Sequence, residues 1–322
     1  MRVRLTRIEG ADLNKFKFDY DLTFMVFFLD SQGRVVSRYG GRDARDADNR
    51  QSLAGLAHVM REVARQCSSE PGRVIPEPGG PAKLAEQLRG GGGRGCMHCH
   101  QVQEAINRNL ARDFEWDPES PWRYPLPENI GVRLHVDKGN LVEKVVPGSP
   151  AARAGIAPGD QIRQVGGVPV LSFGDMQQGL EEGPREGLLR VVYRRGANDT
   201  EAALTLPPKW KKTDITWRTS LRGLVPAPPV AGRNLTDAEK AAIGLSAGAL
   251  AFRQRDTLTQ AAIDAGIKPG DIVTGAEGAP AGLDSYGFQE WVRRDFLVGD
   301  TVRISLVRDG GKMVLPVVLG RR

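Results

Sequence analysis

Five consecutive residues, Cys96-Met97-His98-Cys99-His100, hold two of the three cysteines and two of the four histidines in this 322-residue chain. The Cys-x-x-Cys-His spacing is that of covalent c-type haem attachment. Thioether bonds from Cys96 and Cys99 would hold the porphyrin, and His100 would be the proximal iron ligand. A distal ligand would come from His58, Met60 or His135, or the iron would be five-coordinate. The same stretch also supplies Cys96, His98, Cys99 and His100 as a soft donor set for zinc or copper. Without metal, Cys96 and Cys99 read as a redox dithiol. Proteolytic chemistry is not expected. The four histidines are His58, His98, His100 and His135, no Gly-x-Ser-Gly-like nucleophile loop stands ahead of the repeat described below, and no His-Glu-x-x-His is present. Neither a serine nor a zinc protease is therefore predicted.

The elements that must position this motif fall into separate regions. Hydrophobic residues make up 40% and charged residues 26%, a balance that allows several packed domains in a chain of this length. No run of 18 apolar residues occurs, so no membrane-spanning helix is predicted. The net charge of +6 comes from arginines scattered through strands and loops, without a basic helix or an aromatic-interleaved stripe. That distribution predicts a solvated basic surface and no nucleic-acid partner.

Residues 1–66 read strand, strand, strand, helix. The strands are Met1–Ile8, Thr23–Leu29 and Arg34–Tyr39, the last two joined by the turn Asp30-Ser31-Gln32-Gly33. Over Ser52–Ala64, Leu53, Leu56, Ala57, Met60, Val63 and Ala64 fall on one helical face. Residues 67–127 form a Gly/Pro-rich linker, with Pro78-Gly79-Gly80-Pro81 and Gly90–Gly93. It contains short helices at Ala82–Leu88 and from Cys99, and it carries the Cys-Met-His-Cys-His motif.

Residues 128–206 and 236–322 contain an internal repeat. Ala154-Gly155-Ile156-Ala157-Pro158-Gly159-Asp160 returns as Ala265-Gly266-Ile267-Lys268-Pro269-Gly270-Asp271, at a constant offset of 111. Gly167 with Pro169 recurs as Gly278 with Pro280, and Ile130-Gly131-Val132 matches Ile243-Gly244-Leu245. Gly155 and Gly266 should end a helix in a left-handed turn, and Pro-Gly-Asp should launch the next strand. Thr236-x-x-Glu239 is a capping box. Residues 207–235 read as a connector.

Both copies resemble bacterial PDZ domains of the high-temperature-requirement protease type. The resemblance implies strand addition, in which a partner's C-terminal peptide pairs with a sheet edge and its carboxylate meets backbone N–H groups of a glycine-containing loop. That loop maps to Asn129-Ile130-Gly131-Val132 in the first copy and to Ala242-Ile243-Gly244-Leu245 in the second. The far wall of each groove maps to Phe173–Leu180 and Tyr286–Val292.

Residues 1–66 resemble the C-terminal half of a thioredoxin fold, with Leu22 where thioredoxins carry a cis-proline. The missing first half is expected to mean either a true start upstream of Met1, in a region that could also supply an export signal, or a truncated relative; the competing expectation is a small free-standing αβ unit. The order of the whole resembles multidomain proteins of planctomycete-like bacteria. The fold class expected is α+β multidomain: a partial thioredoxin-like αβ unit, a linker with the motif, and two PDZ-like β-sandwich or barrel domains. The function expected is a non-proteolytic periplasmic or envelope scaffold that binds partner peptide tails and bears a haem or metal centre. The alternative is a thiol–disulfide oxidoreductase using Cys96 and Cys99.

Overall fold

The computed structural model describes residues 3, 8–69, 74–75, 79–88, 97–113, 117 and 119–321. Two compact units emerge, Met1–Thr213 and Asp214–Arg322. The expected first strand, Met1–Ile8, falls almost wholly outside the described residues, as do Gly90–Gly93 and Cys96. None of the described helices is long and apolar enough to cross a membrane.

In the first unit, β1 (Val26–Leu29) and β2 (Val35–Tyr39) form an antiparallel hairpin. Two helices follow, α1 (Leu53–Ser69) and α2 (Cys99–Arg112). The expected helix over Ala82–Leu88 is a single 3-10 turn at Ala85–Gln87. Then come β3 (Val132–Leu134), β4 (Val142–Val145), α3 (Pro150–Arg153), β5 (Gln161–Val165), β6 (Val168–Pro169), α4 (Phe173–Glu181), β7 (Gly187–Arg195) and β8 (Asn198–Leu206). β3 pairs with β4, and β6-β5-β7-β8 form a four-stranded sheet. Leu189, Val191 and Tyr193 alternate inward along β7 and meet Ile130, Ile162, Met176 and Leu180 in one core. A fully buried side chain of this kind contributes about 1.5–3 kcal/mol.

Among the described residues, the expected thioredoxin-like half shows a two-stranded hairpin and one helix, which alone are too little to enclose a core. Its apolar face closes on the following domain instead. Val36, Tyr39, Val59 and Val63 cluster with Leu171, the second residue before α4.

The second unit repeats the plan: β9 (Gly232–Asn234), α5 (Asp237–Ala242), β10 (Phe252–Gln254), α6 (Gln260–Asp264), β11 (Ile272–Ala276), α7 (Ser285–Asp295), β12 (Thr301–Arg308) and β13 (Gly311–Val318). Its five strands lie in the order β13-β12-β11-β10-β9, which leaves β9 at one edge. The β12–β13 loop is Asp309-Gly310 with φ of 51° and 78°, a two-residue hairpin turn of the kind that matches strand twist. Thr236 and Glu239 form the capping box that their spacing predicts.

The repeated Pro-Gly-Asp turn has a tertiary partner that spacing alone did not reveal. Pairing of Gln161 with Arg194 brings Asp160 beside Arg195, and pairing of Ile272 with Val307 brings Asp271 beside Arg308. Each arginine donates Nε and Nη2 to its aspartate at 2.8 and 2.7 Å, and Nη2 also donates to Gly155 O or Gly266 O at 2.8 Å. The same carboxylates accept the N–H of Ala157 and Lys268. One fork thus ties the turn to the hairpin in both copies.

Candidate functional site

The first copy places Pro127–Ile130 in a 3-10 turn, ended by Gly131 at φ 85° and followed by β3. Val146 N–H donates to Gly131 O, and Val132 faces Val145 across the ladder. That register turns the Val132 N–H and C=O away from β4. Two loop amides are already engaged, since Asn129 N–H donates to Leu126 O and Gly131 N–H to Glu128 O. The Asn129 side chain donates to Trp210 O and Lys212 O, so it anchors the loop from behind. The structure therefore brings Ile130, Gly131 and Val132 to one edge and assigns Asn129 a bracing position.

The wall expected at Phe173–Leu180 falls on α4. Phe173, Gln177 and Leu180, at helical spacing, share one face. All eight residues from Phe173 to Leu180 are buried, Met176 and Leu180 within the domain core and Phe173 and Gln177 also under a cover. The cover comes from the chain's own N-terminal region. A Cβ on Gly41, whose φ is 151°, would stand 2.3 Å from Phe173 Cδ1 and 3.5 Å from Gln177 Oε1. The Arg50 guanidinium lies 5.3 Å from the Phe173 ring centroid and reaches Glu128 Oε1 at 2.7 Å. Tyr39 and Arg50 face Leu134 of β3 and Phe173 of α4 across a small residual cleft.

Beneath this cover lies a buried polar junction that joins β2 to α4. Asp175 accepts from Ser37 Oγ at 2.6 Å, Arg38 N–H at 2.9 Å and Leu171 N–H at 3.2 Å. The Arg38 guanidinium stands 3.8 Å from the same carboxylate, and Ser172 Oγ donates to Arg38 O. Burial drives both groups towards neutrality, raising the Asp175 carboxyl and lowering the Arg38 guanidinium. Each is opposed by the other's charge.

Residues 141–195 match the family model for the PDZ domain. The first copy carries a PDZ domain. Two curated relatives match as well. "Putative serine protease HhoB" of Synechocystis sp. is 45% identical over 60 residues, 19% of this chain and 14% of that protein. "Periplasmic pH-dependent serine endoprotease DegQ" of Escherichia coli is 26% identical over 162 residues, 50% of this chain and 30% of that protein. Among solved structures, the serine endoprotease from Yersinia pestis is 29% identical, covering 24% of this chain and 27% of that one, with a TM-score of 0.21. The HtrA3 PDZ domain bound to a phage-derived ligand is 29% identical over 24% of this chain and 83% of that one, also with a TM-score of 0.21. The chain spans less than a third of the length of the two curated relatives.

These relatives correct the function expected from sequence. One is named a putative serine protease and the other a serine endoprotease, and the likeness of this chain is to proteins of that kind. A haem- or metal-bearing non-proteolytic scaffold, and the thiol–disulfide oxidoreductase offered beside it, are both overturned. Of the Cys-Met-His-Cys-His stretch, Cys96 lies outside the described residues. Met97 is buried, and its N–H donates to Glu9 Oε1. His98 is the N-cap of α2, and the His100 ring lies 3.1 Å from Glu104 Oε1. Burial pushes the Cys99 thiol up, away from the thiolate that dithiol chemistry needs. Among the described residues no three His, Cys, Asp or Glu side chains converge on a metal position. Iodoacetamide at pH 7 is expected to label exposed Cys67 well ahead of Cys99, as read by peptide mass spectrometry.

In the second copy the structure moves the loop. Ala242-Ile243-Gly244-Leu245 closes α5 and lies between β9 and β10, not ahead of the edge strand. Ile243 and Leu245 pack on Leu235, Ala251, Ile272 and Val307. The strand on β10's outer edge is Gly232–Asn234, so the entering segment is 227–231, which the sequence reading assigned to the connector. The Ile-Gly-hydrophobic likeness misled because the second copy carries a helix inserted between its first two strands. Here Gly232 N–H donates to Ser285 Oγ at 3.1 Å, and Ser285 N–H donates to Asn234 Oδ1 at 2.8 Å. The first residue of α7 is thus stitched to the strand edge.

Proposed function

We propose that this chain supplies peptide recognition within the DegQ-type serine protease family, through the PDZ groove between β3 and α4. The observation that carries the reading is the edge strand itself. Val132 directs its N–H and C=O off the β4 ladder, ahead of a wall formed by Phe173, Gln177 and Leu180. The ligand proposed is a C-terminal peptide whose carboxylate meets the Ile130-Gly131-Val132 turn. The second copy is proposed as a module of the same build whose edge is held shut by Ser285. An extracytoplasmic setting goes with this reading, since DegQ is named as periplasmic.

The test is binding of the full chain to a randomised hexapeptide pool, made once with free C-termini and once amidated, followed by fluorescence polarisation on selected members. The free-acid pool is expected to bind at least ~10-fold tighter, because amidation removes the charge the turn receives. Saturable binding that ignores amidation would overturn C-terminal capture, and no binding to the groove variants described next would overturn the groove.

A further inference from the structure

The groove proposed above is occupied in this structure, and the occupant is a segment of the same chain. Gly40 and Gly41 are extended at positive φ, 145° and 151°, so the backbone passes flat against Phe173 and Gln177 where any Cβ on Gly41 would collide. The chain then turns through Asp43, whose Oδ1 accepts from Arg45 N–H and Asn49 Nδ2 and whose Oδ2 accepts from Arg50 Nε and Nη2. This compact loop aims Arg50 back into the cleft, over Phe173 and onto Glu128. Ser52 Oγ closes the far end on Asp137 Oδ1 at 2.5 Å, and Gly55 of α1 passes close to Val136 O. The contacts run from the turn that precedes β3 to the loop that follows it.

Arg50 meets its partners as a ligand side chain would. It makes one bond to Glu128 Oε1, while Glu128 Oε2 is buried and accepts no hydrogen bond among the described groups. A guanidinium free of Asp43 has the fork to satisfy both oxygens while it stacks on Phe173. The internal contact therefore leaves one acceptor that a better-placed arginine would fill.

We infer that Gly40–Ser52 is an internal pseudo-ligand of the β3–α4 groove, and that the peptide which displaces it presents an arginine to Glu128 and Phe173. This rests on the groove reading above. It adds what keeps the groove closed and which side chain opens it. Because only the unlatched fraction binds, apparent affinity is the intrinsic affinity reduced by that fraction.

The experiment compares full-length wild type, Arg50→Glu, and the charge-exchanged pair Arg50→Glu with Glu128→Arg, against the free-acid hexapeptide pool. Arg50→Glu is expected to bind selected peptides ~10-fold or more tighter than wild type. The exchanged pair restores the bridge to position 128 but not the two bonds to Asp43, so it is expected to return only part of the way towards wild-type weakness. Hydrogen exchange of the Gly40–Ser52 amides should speed up in Arg50→Glu, and in wild type when peptide is added. Peptides selected on Arg50→Glu should be enriched in arginine, and selection on Arg50→Glu with Glu128→Gln should lose that enrichment. If wild type and Arg50→Glu bind equally, with unchanged exchange over 40–52, the latch is wrong while the groove stands. If neither binds any peptide, the groove reading itself fails. Selection without arginine overturns the partner chemistry.

Discussion

Asp175→Ala is expected to destabilise the Met1–Thr213 unit by about 3–5 kcal/mol, the range for breaking one side of a buried ion pair. The carboxylate accepts three protein hydrogen bonds and faces Arg38, which is itself only 2% exposed. Truncation leaves two backbone N–H groups without their acceptor, takes the shorter of two acceptors from Ser37 Oγ, and leaves the buried Arg38 guanidinium without its counter-charge. Desolvation of both charges opposes the pair, as the directions of their pKa shifts indicate, so removing both partners should cost far less than removing one. Urea denaturation of Arg38→Met with Asp175→Asn is therefore expected to recover most of the loss. A single variant within ~1 kcal/mol of wild type would mean that the junction between β2 and α4 contributes little.

The second large effect concerns the repeated fork. Asp160→Asn and Asp271→Asn are each expected to lower stability at pH 7 by about 1.5–3 kcal/mol, the range for hydrogen bonds to a charged group. Burial alone would raise both carboxyls. The bonds from Arg195 and Ala157 in one copy, and from Arg308 and Lys268 in the other, outweigh it and hold both below the ordinary 3.8. A depressed carboxyl means that the unfolded chain binds the proton more readily. The stabilisation is then complete above about pH 4 and is lost as pH falls through the folded-state values. Urea midpoints of wild type and variants should stand well apart at pH 7 and pH 5 and converge below pH 4. A gap that does not narrow at all as pH falls below 4 would show that the fork acts through packing rather than charge.

The two aspartates also show why some of the site was readable and some was not. Pro158-Gly159-Asp160 and its copy identified themselves because a turn is a local object, set by the φ that each residue tolerates. Gly159 and Gly270 indeed stand at 91° and 84°. The capping box at Thr236 and Glu239, the hairpin strands and the helix at Phe173–Leu180 were legible for the same reason, since spacings of two to four residues suffice to place them. The Cys96–His100 stretch was equally conspicuous, yet motif spacing cannot say whether its side chains face a cofactor or their own protein. Met97 lies in the interior and Cys99 is half-buried, positions that spacing alone does not give.

By itself the sequence determined the repeat, the turns and the PDZ likeness of the first copy, all of which depend on neighbours a few positions apart. Only the tertiary structure decided that Arg195 meets Asp160 across 35 positions, that Arg50 meets Glu128 across 78, and that Ser37 meets Asp175 across 138. It also decided that Gly232–Asn234, not Ile243–Leu245, forms the second edge. Such pairs leave no periodic trace, because strand register and the docking of a small hairpin are chosen by the total surface they bury and the polar groups they satisfy. Neither quantity exists until the distant segments have come together.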